Sequence, residues 1–292
     1  MIELLARQIK TDKSVIKGIG DDTAVVKCCQ DKALLFTCDL LIEDIHFKIK
    51  ETTPYEIGWK ALGCSLSDIA AMGGVPLYAL ISLGLPKNLR LEFVEGIYRG
   101  INKLAQIFKV NIIGGDTNSS SKLIIDVFMV GEAQPHKIVY RKGAQKNDLI
   151  AVTGTLGNSY KSGKHSKFLP RLKEGQFLVH NFKINSMIDI SDGLSSDLHH
   201  ILRQSNKGAI IFEHDIPFSK DATFSQALNE GEDFELLFTL SEREALRLSR
   251  KAKKLNFPVS FIGTIIERPR KLFLFNKQDK FEELRPEGFR HF

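Results

Sequence analysis

An α+β fold in two domains follows from three features of the sequence. Strand-like apolar runs and helical periods occur in both halves of the 292 residues, without the strict strand–helix alternation of a doubly wound parallel sheet. A polar stretch bearing a proline, AQPHKIVYRKGAQKND, divides the halves and sets the expected domains at 1–135 and 136–292. The length is comfortable for two cores. Mixed or antiparallel sheets are expected in both, with a ligand cleft between them.

IELLARQI gives a short amphipathic helix, and GIGDD a glycine turn. KALLFTCDLLI is apolar enough for a buried strand. ETTPYEIGWKALGCSLSDIAAMGG opens on a Thr-Pro signal, keeps helical spacing and stops at Gly73-Gly74. LYALISLGL is a strand closed by Pro86. RLEFVEGIYRGINKLAQIF, with apolar residues three and four apart, is a helix. NIIGGD is a short strand running into a glycine loop, and KLIIDVFMVGEA another strand. In the second half DLIAVTG is a strand, and SMIDISDGLSSDLHHILRQS a strand, a turn and a helix. GAIIFEHDI, FELLFTL, VSFIGTII and KLFLFN are strands, with the helix EREALRLSRKAKKL between the second and third of these. There is no short-period repeat and no low-complexity tract.

An apolar content of 43% with 26% charged residues excludes a disordered chain. The net charge of +6 comes from scattered lysines and arginines, not from a basic block interleaved with aromatics, which argues against nucleic acid as a partner. Excess positive charge also suits polyphosphate ligands. Cys28, Cys29, Cys38 and Cys64 form no C-x-x-C pair and have no histidine at zinc-site spacing. MIELLARQIK is charged too early for a signal sequence, and the apolar runs are too short to span a bilayer, so a cytoplasmic protein is expected.

Seven carboxylates stand in turn-like, glycine-flanked or strand-end settings: Asp22, Asp39, Asp68, Asp116, Asp189, Asp192 and Glu232. Converging charges of one sign repel unless a divalent cation lies among them, and oxygen-only donors favour Mg²⁺, which commonly accompanies phosphate. Asp39 interrupts an apolar run, an expensive position unless paired or metal-bound. Asp68 lies on a helix with little polar face. Gly114 and Gly115 free the backbone before Asp116 to approach a ligand. Asp189 and Asp192 flank Ser191, and Ser195, Ser196 and Asp197 enrich a helix start where N–H groups attract anions. N-capping accounts for one of these residues, not for all. Taken singly, GIGDD and GEDF are also ordinary turns, and a lone His46 is more often structural. Walker A and G-x-G-x-x-G loops are both absent from the sequence.

GIGDDTAVV, the T-x-D of TCDLLIEDIHF, KALGCSLSDIAAMGG with its following Pro, IIGGDT, VTGTLG, IDISDGLSSDL and GEDFELLF occur in this order in the thiamine-monophosphate kinase family, which the chain resembles over nearly its whole length. The resemblance implies phosphoryl transfer from ATP to thiamine phosphate, several Mg²⁺ ions, and a homodimer paired through N-terminal domains. It implies metal contacts at Asp22, Thr37, Cys38, Asp39, Asp68, Asp116, Asp189 and Asp192, with Asp39, Asp68 and Asp116 central to catalysis. ATP contacts are implied at Gly115, Asp116, Arg141 and Ser191, and thiamine-side contacts at His46, Glu232 and Phe289. The sequence departs from the family at Cys38, where a hydroxyl is usual, at Ser65, where an asparagine is usual, and in a shortened stretch over 155–175. A thiol is a poor Mg²⁺ ligand, so Cys38 would have to use its carbonyl. The wider superfamily contains ATP-using relatives with other acceptors, which carry reactive or C-terminal cysteines; this chain has no cysteine after Cys64. A binder without turnover is the other alternative, and the retained acidic set argues against it.

Overall fold

The protein is described from a computed structural model that covers residues 6, 9–255 and 257–289. The helix expected over residues 2–9 lies almost wholly outside the described residues. Contacts divide the chain into two units, Met1–Ile69 with Gly74–Ile138, and Ala70–Gly73 with Val139–Phe292.

The first unit is built on a six-stranded mixed sheet in the order β1-β2-β3-β6-β4-β5. Its strands are β1 Val15–Lys17, β2 Ala24–Cys29, β3 Lys32–Ile42, β4 Val75–Leu85, β5 Asn111–Ser119 and β6 Ile124–Ala133, with helices α1 Pro54–Ala71 and α2 Leu91–Phe108. Only β4 and β5 run parallel. β3 and β6 pair continuously from Ala33↔Ala133 to Ile42↔Ile124, and their period of two turns Leu35, Leu41, Ile125, Val127 and Met129 into the core.

Helix α1 begins with a reciprocal cap: Glu56 N–H donates to Thr53 Oγ1 at 3.3 Å, and Thr53 N–H to Glu56 Oε2 at 2.9 Å. It ends where Gly73 takes φ +71°. Its backbone lies close to that of α2, because a Cβ on Gly58 would meet Ile97 O at 1.9 Å and one on Gly100 would meet Tyr55 O at 1.9 Å. Expected strand β5 does not stop at its glycines. It runs to Ser119 as an exposed edge strand.

The second unit holds a seven-stranded sheet in the order β13-β12-β9-β11-β7-β10-β8. The strands are β7 Leu149–Thr153, β8 Ile184–Asp189, β9 Gly208–Phe212, β10 Leu236–Leu240, β11 Val259–Ile266, β12 Leu272–Phe275 and β13 Phe281–Leu284. Only β9 and β12 are parallel. Helices α3 Ser159–Ser162, α4 Lys164–Lys167, α5 Leu172–Asn181, α6 Leu194–Ser205, α7 Phe224–Asn229 and α8 Glu242–Leu255 complete it. Its core joins Ile150, Val152 and Leu237 of the sheet to Leu198, Ile201 and Leu202 of α6. Both units are thus α+β with mixed sheets. Among the described residues no helix is long and apolar enough to cross a membrane.

Candidate active site

In the first unit the acidic residues are placed by the sheet and α1. Thr37, Asp39 and Leu41 share the β3 face that looks toward α1. Thr37 Oγ1 donates a hydrogen bond to Asp68 Oδ2. Ser65, fully buried one turn earlier on α1, donates to Asp39 Oδ2 at 2.6 Å and lies 3.2 Å from Val127 O. Burial pushes the Asp39 carboxyl up to about 6; the Ser65 hydrogen bond pulls it down, and the charge of Asp126 adds to the rise. Asp22, buried in the turn before β2, has a carboxylate oxygen within 4.8 Å of one on Asp68. Two acidic groups this close, in an all-oxygen set with Thr37, fit a hard divalent cation better than any soft metal.

Cys38 lies on the opposite face of the sheet, where its thiol donates to Asp126 Oδ1 at 3.0 Å. Partial desolvation, then the hydrogen bond and charge of Asp126, push the thiol up to about 12. It is protonated at neutral pH and points away from Asp39, so the thiol is no ligand for a cation on the Asp39 face. Asp116 is exposed on the β5 edge, its oxygens accepting from Thr117 N–H at 2.8 Å and Asn118 Nδ2 at 2.7 Å. Gly115 beside it admits no side chain, since a Cβ there would meet Ile81 O at 1.8 Å. His46 accepts from Ile42 N–H through Nδ1 at 2.9 Å, so the neutral ring carries its proton on Nε2. The buried Lys60 donates to the His46 carbonyl at 2.6 Å and pins the same bend.

In the second unit three loops meet. Asp189 ends β8, buried, and the Ser191–Gly193 turn follows. Glu232 N–H donates to Ser191 O at 2.7 Å, and Phe289 N–H to Asp192 O at 3.0 Å. Backbone bonds therefore gather Ser191, Asp192, Glu232 and Phe289 from three distant parts of the chain. Asp192, Asp197 and His200 each bring a ligand atom within 4.8 Å of the others. Asp197 accepts from Asp192 N–H at 3.0 Å. Burial first, then the charges of Asp192 and Asp189, raise its carboxyl well above the ordinary range, while the Asp192 hydrogen bond and Arg141 oppose this. His200 is pushed down to about 4 by burial and by Arg141, Arg203 and His199, so it is neutral near pH 7.

Asp126, His200 and the pairing of Ser65 with Asp39 were not singled out from the sequence, and Asp197 was named only as part of an anion-attracting helix start, not as a metal-site carboxylate. Only Asp197 and His200, three apart on the first turns of α6, carried a local signal, a shared helix face.

Each α+β unit carries its own acidic cluster, and two family models match the chain. Residues 20–133 match the N-terminal domain and residues 143–274 the C-terminal domain of AIR synthase related protein. Thiamine-monophosphate kinase of Buchnera aphidicola subsp. Schizaphis graminum is 37% identical, covering 97% of this chain and 94% of that protein. The Bacillus subtilis enzyme of the same name is 33% identical over 96% and 94%. The solved structure of AaThiL complexed with AMPPCP and TMP superposes with a TM-score of 0.86 at 31% identity, covering 100% of this chain and 96% of that one. The chain belongs to the thiamine-monophosphate kinase family. The hydrogenase maturation protein HypE in complex with ATP, at 19% identity and a TM-score of 0.72 over 87% and 84%, shares the fold.

Proposed function

We propose that this protein transfers the γ-phosphoryl group of ATP to thiamine phosphate, giving thiamine diphosphate and ADP. The observation that carries this is the full-length match to a structure holding an ATP analogue and TMP, in a chain that keeps the whole acidic set. A phosphate oxygen of thiamine phosphate attacks the γ-phosphorus, the bond to the β,γ-bridging oxygen breaks, and ADP departs. A phosphate monoester is largely dianionic at neutral pH, so no side chain has to remove a proton from the nucleophile.

The domain bearing Asp22, Thr37, Asp39, Asp68 and Asp116, with the Cys38 carbonyl, is the metal- and ATP-binding part; Asp189 and Asp192 are the metal-holding groups of the second. Bound Mg²⁺ would neutralise charge on the transferring phosphoryl group. Asp39 enters this role by losing a proton held at about 6, and Ser65 favours that loss. Gly115, with no Cβ, lets the β5 main chain approach phosphate, and Arg141 and Ser191 contact ATP. His46, whose Nε2–H is the donor in the tautomer its Nδ1 bond sets, contacts the thiamine side of the acceptor. Glu232 meets the positive charge or amine of thiamine, and the exposed ring of Phe289 covers the thiamine rings.

A homodimer through the first unit is supported by its outward sheet face. Phe36 and Phe128 stack there at 6.0 Å, and Leu40 and Tyr78 are 51% and 44% exposed, an unusual apolar surface for a sheet in water. The decisive assay measures ADP release with ATP, Mg²⁺ and either thiamine or thiamine phosphate. Turnover with the phosphorylated acceptor alone is expected. Binding without ADP release would favour a non-catalytic binder and reject the proposal.

A further inference from the structure

The turn that carries Glu232 is tied by its backbone to Ser191 and Ile190, and by its carboxylates to one stretch of chain, residues 153–171. Glu230 accepts from Asn158 N–H at 3.1 Å and Tyr160 N–H at 2.9 Å. Asp233, 1% exposed, accepts from Gly157 N–H through both oxygens at 3.0 Å and lies 3.6 Å from Lys164 Nζ. Glu235, 1% exposed, is gripped by Arg171 through Nε at 2.6 Å and Nη2 at 2.8 Å. Lys164 Nζ at 3.0 Å and Thr153 Oγ1 at 2.7 Å complete its partners. Thus Glu230, Asp233 and Glu235 are all turned into the 153–171 stretch, and Glu232 between them is only half-buried.

The turn does not hold this shape through its own backbone preferences. Glu232 and Phe234 have φ of +53° and +49°, a left-handed conformation that non-glycine residues adopt only under outside constraint. The constraint comes from the bonds of Glu232 N–H to Ser191 O at 2.7 Å and Phe234 N–H to Ile190 O at 2.8 Å, from the ion-pair set above, and from the Phe168 ring stacked on Phe234 at 3.8 Å. Two nearly fully buried carboxylates share one lysine. Removing Lys164 leaves Asp233 with the Gly157 N–H and Glu235 with Arg171 and Thr153.

We propose that residues 153–171 form a clamp, with Lys164 and Arg171 as positioning residues that fix Glu232 for the acceptor substrate. The role of Glu232 rests on the function proposed above; the clamp itself does not.

Steady-state kinetics of Lys164→Met, Arg171→Gln and Arg171→Lys, with ATP, Mg²⁺ and thiamine phosphate, test it together with amide hydrogen exchange. A Glu232 misplaced by a fraction of an ångström should raise KM for thiamine phosphate by about tenfold in Lys164→Met and Arg171→Gln. KM for ATP should stay within about twofold, since nothing in the clamp is assigned to ATP. Arg171→Lys should recover part of the loss. The amides of Gly157 and Glu232 should exchange faster in Lys164→Met while those of the β7 core stay protected. Equal losses for both substrates, or an unchanged KM with unchanged exchange at Gly157 and Glu232, would overturn the clamp. If Arg171→Gln does not fold, Lys164→Met decides, because Arg171 still neutralises Glu235. If wild-type protein gives no turnover, the kinase function fails instead, and exchange at those two amides decides the clamp on its own.

Discussion

Replacing Ser65 by alanine isolates what sets the protonation state of Asp39. Ser65 is fully buried and its hydroxyl donates to Asp39 Oδ2 at 2.6 Å. A hydrogen bond to an ionised carboxylate contributes about 1.5–3 kcal/mol, and one to a neutral group about 1 kcal/mol. The difference of about 1–2 kcal/mol is equivalent to about one pH unit in the titration of Asp39. In the native protein that carboxyl is held up to about 6 by burial, with Ser65 working against the rise. In Ser65→Ala it should titrate about one pH unit higher, leaving about fivefold less ionised Asp39 at pH 6 and almost no difference at pH 8.5.

The first assay is the Mg²⁺ concentration giving half-maximal ADP formation, followed from pH 5.5 to 8.5. Its acid limb should move up by about one pH unit in the variant, since proton and cation compete for one group. The second is urea unfolding without metal. A folded carboxyl raised above its unfolded value takes up protons on folding, so stability falls as pH rises from about 4 to about 6. Ser65→Ala extends that fall to higher pH. Its destabilisation should therefore be about 1 kcal/mol at pH 5 and about 2 kcal/mol at pH 8. An unmoved acid limb together with a pH-independent destabilisation would refute the reasoning.

Asp68→Asn and Asp116→Asn should each fold normally and lose ADP formation by about 100-fold or more, as removal of a cation-holding carboxylate does; near-native rates in both would reject the metal role. Asp233 is buried and its carboxyl stands at about 6, so it should remove about 3 kcal/mol of stability as pH rises from about 4 to about 6. Asp233→Asn should flatten that part of the stability profile, and an equally steep profile in chemical denaturation would contradict the assignment. Leu40→Glu places a charge on the apolar outward sheet face. The native protein is expected to sediment as a dimer and the variant as a monomer; dimers in the variant would remove that face as the interface.

The sequence by itself determined those elements whose signals are local. Thr53-Pro54 and Gly73-Gly74 bracket α1, and the apolar run from Ala33 to Ile42 specifies β3. Asp39 stood out as the polar residue in that run. The motifs around Asp22, Asp68, Asp116, Asp189 and Asp192 pointed to cation and phosphate chemistry, and with the other motifs to the family. Tertiary structure decided the rest. Asp126 meets Cys38 across 88 residues only because β3 and β6 pair in one register. That same alternation separates the Cys38 thiol from Asp39, its neighbour in sequence. β5 continues through Gly114 and Gly115 because β4 supplies hydrogen-bond partners, not because its residues favour a strand. β13, reading FEEL, has no apolar face to announce it. Helices α3 and α4, four residues each, are too short to be stable alone. Their stretch owes its shape to buried charges on residues 233 and 235, whose partners lie some seventy residues away along the chain and come within reach only when the second sheet closes.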